Sequence, residues 1–325
     1  MKRIRIPEDV ELPLIGCICF GIIDRGTNLL QIRPSSICCL NCIFCSTDLG
    51  PNSKRATEYI VDCDYLLEWV REIARFKGNY KLQMHIDFGE PTTYPRLIDL
   101  VQGLNEIKGV ETISMETKAF LLNEKEIDEL KEAGLTRINL SLDAIDKELA
   151  KKLTNTPSYD VSRVLELAEY TLYKKIDLLI APVWIPGLND EEIPKIIQLA
   201  KRLNARLGIQ KYETHKFGRK PKRIKPISWW KFYRKLEEWE RKFNVNLKIG
   251  PKDFGIERRK ILPILFKNYQ KITVNIKAPG WMKNEMIGIK NKRCITVVNC
   301  GAEVGTKIKV RILKNKHNLY IAKPS

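Results

Sequence analysis

The sequence lacks an uninterrupted apolar run of the roughly 20 residues that a helix needs to span a bilayer. Its basic start is followed by acidic residues, without the apolar segment and small-residue cleavage site of a signal peptide. Long repeats and low-complexity segments are also missing. These absences argue against membrane and secreted classes and predict a cytoplasmic protein with no membrane partner. With 325 residues, 44% of them hydrophobic, one large catalytic domain with a small appendage is expected.

Acidic residues are scarce in the last third of the chain. From Thr214 to Ser325 there are 7 Asp and Glu against 29 Lys and Arg, a net charge of +22, whereas Met1 to Glu213 carries a net charge of −4. A surface that served solubility or thermal stability alone would spread its charge over both parts. The asymmetry therefore favours a polyanionic partner for the C-terminal third.

The first two thirds of the chain alternate short apolar runs with amphipathic stretches. The runs predict six strands, at Leu29–Pro34, Leu82–Phe88, Glu111–Glu116, Thr136–Asp143, Ile176–Trp184 and Leu207–Glu213. The stretches predict helices at Tyr65–Phe76, Pro95–Leu104, Asn123–Ala133, Val161–Leu172 and Asp190–Leu203. This alternation indicates βαβ units and a parallel sheet. An open six-stranded barrel and a doubly wound sheet both fit it.

The texture changes after the sixth predicted strand. His215–Lys225 is a basic connector, and Trp229–Phe243 predicts a helix whose first residues, Trp229 and Trp230, are expected to pack it onto the catalytic barrel. Short alternating strands from about Lys267 predict a small antiparallel barrel. The predicted domains are 1–213 (catalytic barrel with an N-terminal extension), 214–266 (connector and helix) and 267–325 (small barrel).

Cysteine is plentiful and clustered. Four of the nine cysteines fall within eight residues, and in a reducing compartment such a cluster indicates a metal site rather than disulfides. Cys38, Cys42 and Cys45 form C-x3-C-x2-C, so three thiolates can hold three corners of a [4Fe–4S] cluster. The fourth iron keeps open coordination positions, which S-adenosylmethionine (SAM) can fill with its amino and carboxylate groups. Its reductive cleavage would yield methionine and a 5′-deoxyadenosyl radical that abstracts hydrogen from a substrate.

Two other uses of this loop have to be weighed. A structural zinc site normally takes four protein ligands, and Cys39, adjacent to Cys38, has poor geometry for the same metal. A cluster used only for electron transfer is the other alternative. Cys39 is interpreted as a buried, unreactive thiol.

The resemblance to a known family extends beyond the cysteines. The loop and the segment HIDFGEP (85–91) resemble the radical SAM superfamily, whose Gly-Gly-Glu-Pro motif binds the SAM amino group. The resemblance implies a partial (β/α)6 barrel with a [4Fe–4S] cluster on Cys38, Cys42 and Cys45. It also implies that Gly89, Glu90 and Pro91 contact SAM; Phe88 replaces the first glycine of the motif.

Other predicted strand ends match the family as well. By the resemblance, Glu116 or Thr117 touches the ribose or the methionine carboxylate of SAM, Ser141 and Asp143 lie near the same groups, and the backbone around Pro186 packs on adenine. Parallel barrels concentrate their chemistry at the carboxyl ends of strands. No single side chain is identified as catalytic.

The last 55 or so residues resemble a TRAM domain, a small β-barrel of the OB-like kind that is found on RNA-modifying enzymes. Lys and Arg would attract phosphates, and Trp281 and Tyr320 would either stack on unpaired bases or pack the small barrel's own core. The basic connector 215–225 could guide phosphates to the barrel. As a whole, the chain resembles an archaeal family of uncharacterised iron–sulfur oxidoreductases.

The leading hypothesis is a radical SAM enzyme that modifies a base in RNA, above all tRNA, and that needs an electron donor. A radical SAM enzyme for a protein or small molecule and a non-catalytic RNA-binding iron–sulfur protein are the alternatives. Methylthiotransferases that pair these two modules carry a further cysteine-rich N-terminal domain, which this sequence does not show. A catalytic role is left open for four of the other cysteines, namely Cys17, Cys19, Cys294 and Cys300.

Overall fold

The computed structural model describes residues 1–325, which divide into two compact units. Unit 1 comprises residues 1–37, 54–113 and 256–325, and unit 2 comprises residues 38–53 and 114–255. Each unit is therefore assembled from segments that are far apart in the sequence. None of the helices is both long enough and apolar enough to cross a membrane.

Sixteen strands and seven α-helices make up the regular structure. The strands are β1 (Lys2–Ile6), β2 (Gly21–Asp24), β3 (Leu29–Arg33), β4 (Thr57–Val61), β5 (Leu82–Ile86), β6 (Val110–Thr117), β7 (Arg137–Leu140), β8 (Asp177–Ile180), β9 (Val183–Trp184), β10 (Arg206–Leu207), β11 (Gln210–Lys211), β12 (Lys271–Pro279), β13 (Glu285–Lys290), β14 (Arg293–Val298), β15 (Lys307–Lys314) and β16 (Ile321–Pro324). The helices are α1 (Cys63–Lys77), α2 (Leu97–Asn105), α3 (Glu124–Glu132), α4 (Lys147–Thr154), α5 (Val161–Tyr173), α6 (Glu192–Arg202) and α7 (Trp229–Phe243).

The parallel strands follow one another in chain order. Unit 1 has the order β2-β3-β5-β6 and unit 2 the order β6-β7-β8-β10, with β6 divided between the two units. A doubly wound sheet would reverse its strand order at a switch point, and neither unit does so. Right-handed crossovers without a reversal place the connecting helices on one face, as in an open barrel. The predicted partial barrel is confirmed, with β2 added antiparallel to β3 at its edge.

The fifth and sixth predicted strands are each divided into two. The prediction of one strand over 176–184 becomes β8 and β9, and that over 207–213 becomes β10 and β11. The proline between β8 and β9, Pro182, has no N–H to donate to the ladder, although its carbonyl accepts from the Gln210 N–H at 2.7 Å. Helix α4 and the parallel pair β1–β4 were not predicted.

The C-terminal strands close into a barrel of order β12-β13-β14-β16-β15. The expected small barrel is confirmed, but it is not wholly antiparallel, because β14 and β16 run parallel. Alternation along β12 buries Ile272, Val274 and Ile276 in the barrel core. Tyr320 is 1% exposed in the same core, so the core-packing alternative holds for this residue.

Helix α7 is amphipathic. Ser228 caps its N-terminus, because the serine hydroxyl accepts the Lys231 N–H at 3.3 Å. Its inner face buries Phe232, Leu236 and Trp239, which lie at helical spacing. The rings of Phe232 and Trp239 lie 6.0 and 5.0 Å from that of Trp184. The helix is thus held in unit 2 by an aromatic cluster.

Candidate active site

The cysteine loop belongs to unit 2 and is tied to the end of helix α4. The Asn41 and Ile43 N–H groups donate to the carbonyls of Thr154 and Leu153 at 3.1 and 3.0 Å. These carbonyls belong to the last turn of the helix, where no intrahelical donor remains for them. The unpredicted helix α4 therefore has a definite role, because it fixes the backbone of the loop between its first and last cysteines.

Arg219 holds the same loop from the other side. Its guanidinium pairs with the Asp48 carboxylate at 2.7 Å and donates to the carbonyls of Cys42, at 3.2 Å, and Leu49. Its backbone N–H donates to the Cys45 carbonyl at 2.8 Å. One guanidinium with several fixed donors can organise several acceptors at once. Arg219 is thus committed to the loop, whereas the connector was expected to guide phosphates.

Replacing Arg219 by alanine is expected to loosen the cysteine loop and to weaken cluster retention several-fold, because three side-chain contacts are lost together. The measurement is the rate at which a chelator removes iron from the anaerobically reconstituted protein. Lys220→Ala is the matched control, since Lys220 adjoins Arg219 in the chain and its side chain is exposed. Equal rates of iron loss in both variants would show that Arg219 does not hold the loop.

The three predicted ligands are half-buried cysteines that are not paired with one another in disulfides. Burial raises the pKa of the Cys42 thiol to about 11, and the cation of Lys118 opposes this shift. No three His, Cys, Asp or Glu side chains converge closely enough to hold a single metal ion. A cubane cluster does not require such convergence, since each thiolate binds a different iron atom. Half-buried thiols on a tethered loop fit this arrangement, so Cys38, Cys42 and Cys45 would hold the cluster.

The remaining cysteines lie in other surroundings. Cys39 is half-buried, so the prediction of a buried thiol was wrong in degree. The four cysteines whose role was left open are all at most 4% exposed, namely Cys17, Cys19, Cys294 and Cys300. The sulfurs of Cys17 and Cys19 are 3.3 Å apart, and burial raises the pKa of Cys19.

The Gly-Glu-Pro segment lies in unit 1, directly after β5. Gly89 has φ +66°, and a Cβ atom there would lie 2.2 Å from the Ile37 carbonyl oxygen, so only glycine fits. The Glu90 N–H donates to the same carbonyl at 2.8 Å. Ile37 immediately precedes Cys38 in the chain. Glu90 is buried, and its carboxylate accepts from the Thr92 hydroxyl at 2.9 Å.

Phe88 occupies the place of the motif's first glycine and has φ +77°, in the region that favours glycine. Contacts of its ring compensate for this backbone conformation. The Arg33 guanidinium lies 4.6 Å from the ring centroid, and the Trp281 ring lies 5.4 Å away. Trp281 is only 7% exposed and is also covered by Arg55 at 4.2 Å. Trp281 therefore packs against the residue that precedes the Gly-Glu-Pro segment and is not exposed for stacking on a base.

A buried ion pair links two strand ends of unit 2. The Lys118 ammonium pairs with the Asp143 carboxylate and donates to the Ser141 carbonyl at 2.9 Å. Burial lowers the pKa of Lys118, but the attraction of Asp143 outweighs it and leaves the pKa well above its usual value. The ammonium also lies 5.7 Å from the centroid of the Phe44 ring. Lys118 was not predicted, although its position directly after β6 was a usable signal.

The other two predicted residues on this strand end differ in use. The Thr117 hydroxyl is buried and accepts the Ala119 N–H at 2.9 Å, so it shapes the turn. The Glu116 carboxylate is half-buried and lies 3.5 Å from the Ser141 hydroxyl. Of the two alternatives, Glu116 is the one whose side chain lines an open cavity in unit 2.

The loop around Pro186 is held by hydrogen bonds between side chains and the backbone. The Asn189 side-chain oxygen accepts the Ile185 N–H at 2.7 Å, and its amide donates to the Asp143 carbonyl at 2.9 Å. Asp143 itself accepts the Val183 N–H at 2.8 Å. Pro186 is half-buried in this loop. Asn189 and Asp143 therefore connect two predicted SAM-contacting segments within unit 2.

This architecture defines a class of enzymes: a partial parallel barrel with three cysteines on its first loop and polar groups at its strand ends. The chain belongs to the Radical SAM superfamily, whose family model matches residues 32–200. It is an enzyme of this superfamily and uses a [4Fe–4S] cluster and SAM.

Similar proteins agree with this assignment. The chain is 41% identical to an uncharacterized protein of Methanocaldococcus jannaschii, over 99% of this chain and 81% of the relative. It is 30% identical to a probable GTP 3′,8-cyclase of Saccharolobus islandicus, over 72% of this chain and 70% of the relative. The structure of Streptococcus suis SuiB bound to SAM has a TM-score of 0.53 at 23% identity, over 68% of this chain and 49% of SuiB. The SuiB likeness concerns the fold alone.

Proposed function

We propose that this radical SAM enzyme modifies a base in RNA, with tRNA as the expected substrate. The observation that carries the proposal is the outer face of the small barrel. This face presents six Lys and Arg side chains on three neighbouring strands, namely Lys271, Lys277, Lys307, Lys309, Arg311 and Lys323. None of the six has an acidic side chain within salt-bridge distance, so their charge is available to a polyanion.

The register of the strands concentrates this charge. Lys271 lies directly opposite Arg311, and Arg311 lies directly opposite Lys323, so three cations form a row across three strands. Neighbouring strands are only about 4.8 Å apart, and like charges placed directly opposite each other destabilise a sheet. Such a row works against folding. A partner that neutralises it, such as a phosphate backbone, explains why the sequence keeps it.

The polyanion also has to suit the chemistry. When bound, the cluster and SAM together supply hydrogen-atom abstraction, which acts on a single C–H bond within reach. A base inside a duplex cannot reach such a centre, so the target must be unpaired or flipped out. Loops of tRNA offer unpaired bases next to folded, phosphate-rich helices. The chain's own contribution is to bind the phosphates and to hold the RNA.

Reversing two charges in the row should weaken RNA binding. The double variant Lys309→Glu and Arg311→Glu is expected to bind tRNA at least tenfold more weakly near physiological salt, because two phosphate contacts become repulsive. The slope of log K against log salt concentration is negative, and its magnitude should decrease by roughly one to two. A filter-binding titration with bulk tRNA at several salt concentrations measures both quantities.

The matched control reverses two charges elsewhere in unit 1. Arg3 and Arg5 are exposed on β1, and both already pair with glutamates. Changing both to glutamate should alter tRNA affinity much less than the barrel variant does. Equal losses in the two variants would mean that net charge, rather than the barrel face, controls binding. Unchanged binding of the barrel variant across the salt titration would contradict the RNA proposal.

A second candidate substrate is a free purine nucleotide. It is favoured by the relatives named probable GTP 3′,8-cyclases, which match 72% of this chain. The two candidates separate in one assay, in which 5′-deoxyadenosine is measured anaerobically with SAM and dithionite. Acceleration by tRNA, with a changed nucleoside in mass spectrometry, supports the leading proposal. Acceleration by GTP but not by tRNA supports the nucleotide. If neither addition accelerates cleavage, the substrate is to be sought among proteins and other metabolites.

A further inference from the structure

Helix α7 begins with an exposed aromatic surface in unit 2. Trp229, Trp230 and Tyr233 are 54%, 63% and 46% exposed, although the sequence predicted that the two tryptophans pack inward. That prediction was wrong because the inner face of the helix is already filled by Phe232 and its neighbours on that face. The rings of Trp229 and Tyr233 lie 5.8 Å apart at an angle of 28°. We call Trp229, Trp230 and Tyr233 the aromatic ledge.

Cations accompany the ledge. The Arg234 guanidinium lies 4.7 Å from the Trp230 ring, and the Lys211 ammonium lies 4.9 Å from the Trp229 ring. Between Thr214 and Leu236 the chain has nine Lys and Arg and no Asp or Glu. Three cations in or beside this segment pair with carboxylates, namely Lys211 with Glu213, Arg219 with Asp48 and Lys235 with Glu238, whereas no carboxylate lies within salt-bridge distance of Arg234. Exposed aromatic rings beside cations are a means by which proteins bind single-stranded nucleic acid, through base stacking and phosphate attraction.

The ledge also borders a cavity of about 520 Å³ in unit 2. Trp229 and Tyr233 line this cavity, together with the strand-end residues Glu116 and Asn139. Its volume lies within the roughly 300 to 1,000 Å³ that is usual for small-molecule sites. Aromatic walls and a few polar groups suit a nucleobase, because its faces can stack and its edges can hydrogen-bond.

Side-chain contacts connect the cavity with the cysteine loop. Glu116 lies 3.5 Å from the Ser141 hydroxyl, and the Ser141 carbonyl accepts from Lys118 at 2.9 Å. Lys118 in turn faces the Phe44 ring at 5.7 Å, next to Cys45 in the chain. All of these residues belong to unit 2. The wall of the cavity is therefore linked through side-chain contacts to the cysteine loop, where SAM chemistry is expected.

We infer that the aromatic ledge stacks an unpaired base of the RNA substrate and admits the target nucleotide to this cavity. The inference rests on the proposed function, since it assumes an RNA substrate, and it adds the segment that handles the unpaired strand. The cations of the small barrel bind the phosphates of paired and unpaired strands alike, whereas the ledge selects nucleotides whose bases are unstacked from their neighbours. The protein should accordingly prefer single-stranded RNA over a duplex of the same length at the ledge.

The test uses the full-length, reconstituted enzyme and a fluorescently labelled 12-nucleotide single-stranded RNA, with the matching duplex as a second probe. Trp230→Ala is expected to weaken binding of the single strand about tenfold or more and to change duplex binding little, because stacking on one ring is lost. Trp230→Phe should restore most of the affinity. Anisotropy titrations at constant salt measure each constant.

Tyr173→Ala is the matched control, because Tyr173 is an exposed aromatic residue of unit 2 that lies outside the ledge, on α5. Its binding should equal that of the unchanged protein. If Trp230→Ala and Trp229→Ala both bind the single strand normally while the barrel variant does not, the ledge inference is wrong and the RNA proposal stands. The RNA proposal itself fails if the unchanged protein binds neither the single strand nor the duplex and if, in addition, tRNA does not accelerate SAM cleavage.

Discussion

The variant Cys42→Ala is expected to lose most of its iron and to produce 5′-deoxyadenosine only at background level. Cys42 is one of the three predicted ligands, and its carbonyl also accepts from Arg219, so the backbone of the loop should persist when the sulfur is removed. With two thiolates left, a cubane cluster has no stable set of protein ligands. Iron and sulfide analysis after anaerobic reconstitution, followed by SAM cleavage with dithionite, measures both effects.

Cys39→Ala provides the control within the same loop. Cys39 adjoins Cys38 and is similarly half-buried, but it lies outside the C-x3-C-x2-C spacing. This variant should retain its iron and its cleavage activity. A loss of iron as complete as that of Cys42→Ala would mean that four cysteines of the loop share the metal, which would revive the zinc alternative. Zinc analysis of the purified protein would then decide between the two metals.

Replacing Lys77 by methionine is expected to cause the largest loss of stability. The ammonium of Lys77 pairs with the Asp24 carboxylate at 2.7 Å, and both side chains are fully buried. It also donates to the carbonyls of Thr27 and Lys260 at 2.9 and 3.0 Å. Removing one partner leaves the carboxylate buried without a counter-ion, at a cost of about 3–5 kcal/mol. Urea unfolding followed by circular dichroism should show a midpoint lower by about 1 M or more.

Two comparisons test this explanation. The double variant Lys77→Met with Asp24→Asn should recover part of the stability, because no unpaired charge remains. Lys151→Met removes an exposed ion pair with Glu148 and should leave the unfolding midpoint nearly unchanged. If the double variant is no more stable than Lys77→Met alone, the loss arises from packing and from the two carbonyls rather than from the unpaired carboxylate.

Local signals in the sequence were sufficient for much of the fold. Helix α7 was predicted with the bounds that the structure has, because a serine cap and a helical apolar period define it. The parallel strands followed from alternating elements, and the three proposed cluster ligands rest on cysteine spacing. Helix α4 was missed, because its eight residues are fewer than the roughly 11 to 18 over which a helical period can be recognised in a sequence.

The direction of side chains was the part that local patterns could not predict. Trp281 and Tyr320 were possible stacking residues, yet both are buried, against Phe88 and in the barrel core respectively. Trp229 and Trp230 were expected inside and are exposed. A tryptophan satisfies either environment, so its identity does not say which side of an element it will take. The partner across the fold decides this.

The sequence by itself determined the chemistry of this protein, because three cysteines at a fixed spacing and a Gly-Glu-Pro turn act through local geometry. It also determined the positive charge of the C-terminal third. Only the tertiary structure decided that Arg219 serves the cysteine loop and that Lys118 pairs with Asp143. Only the structure aligned the cations of β12, β15 and β16 in one row. Each of these depends on contacts between distant segments, whose energies no short stretch of sequence contains.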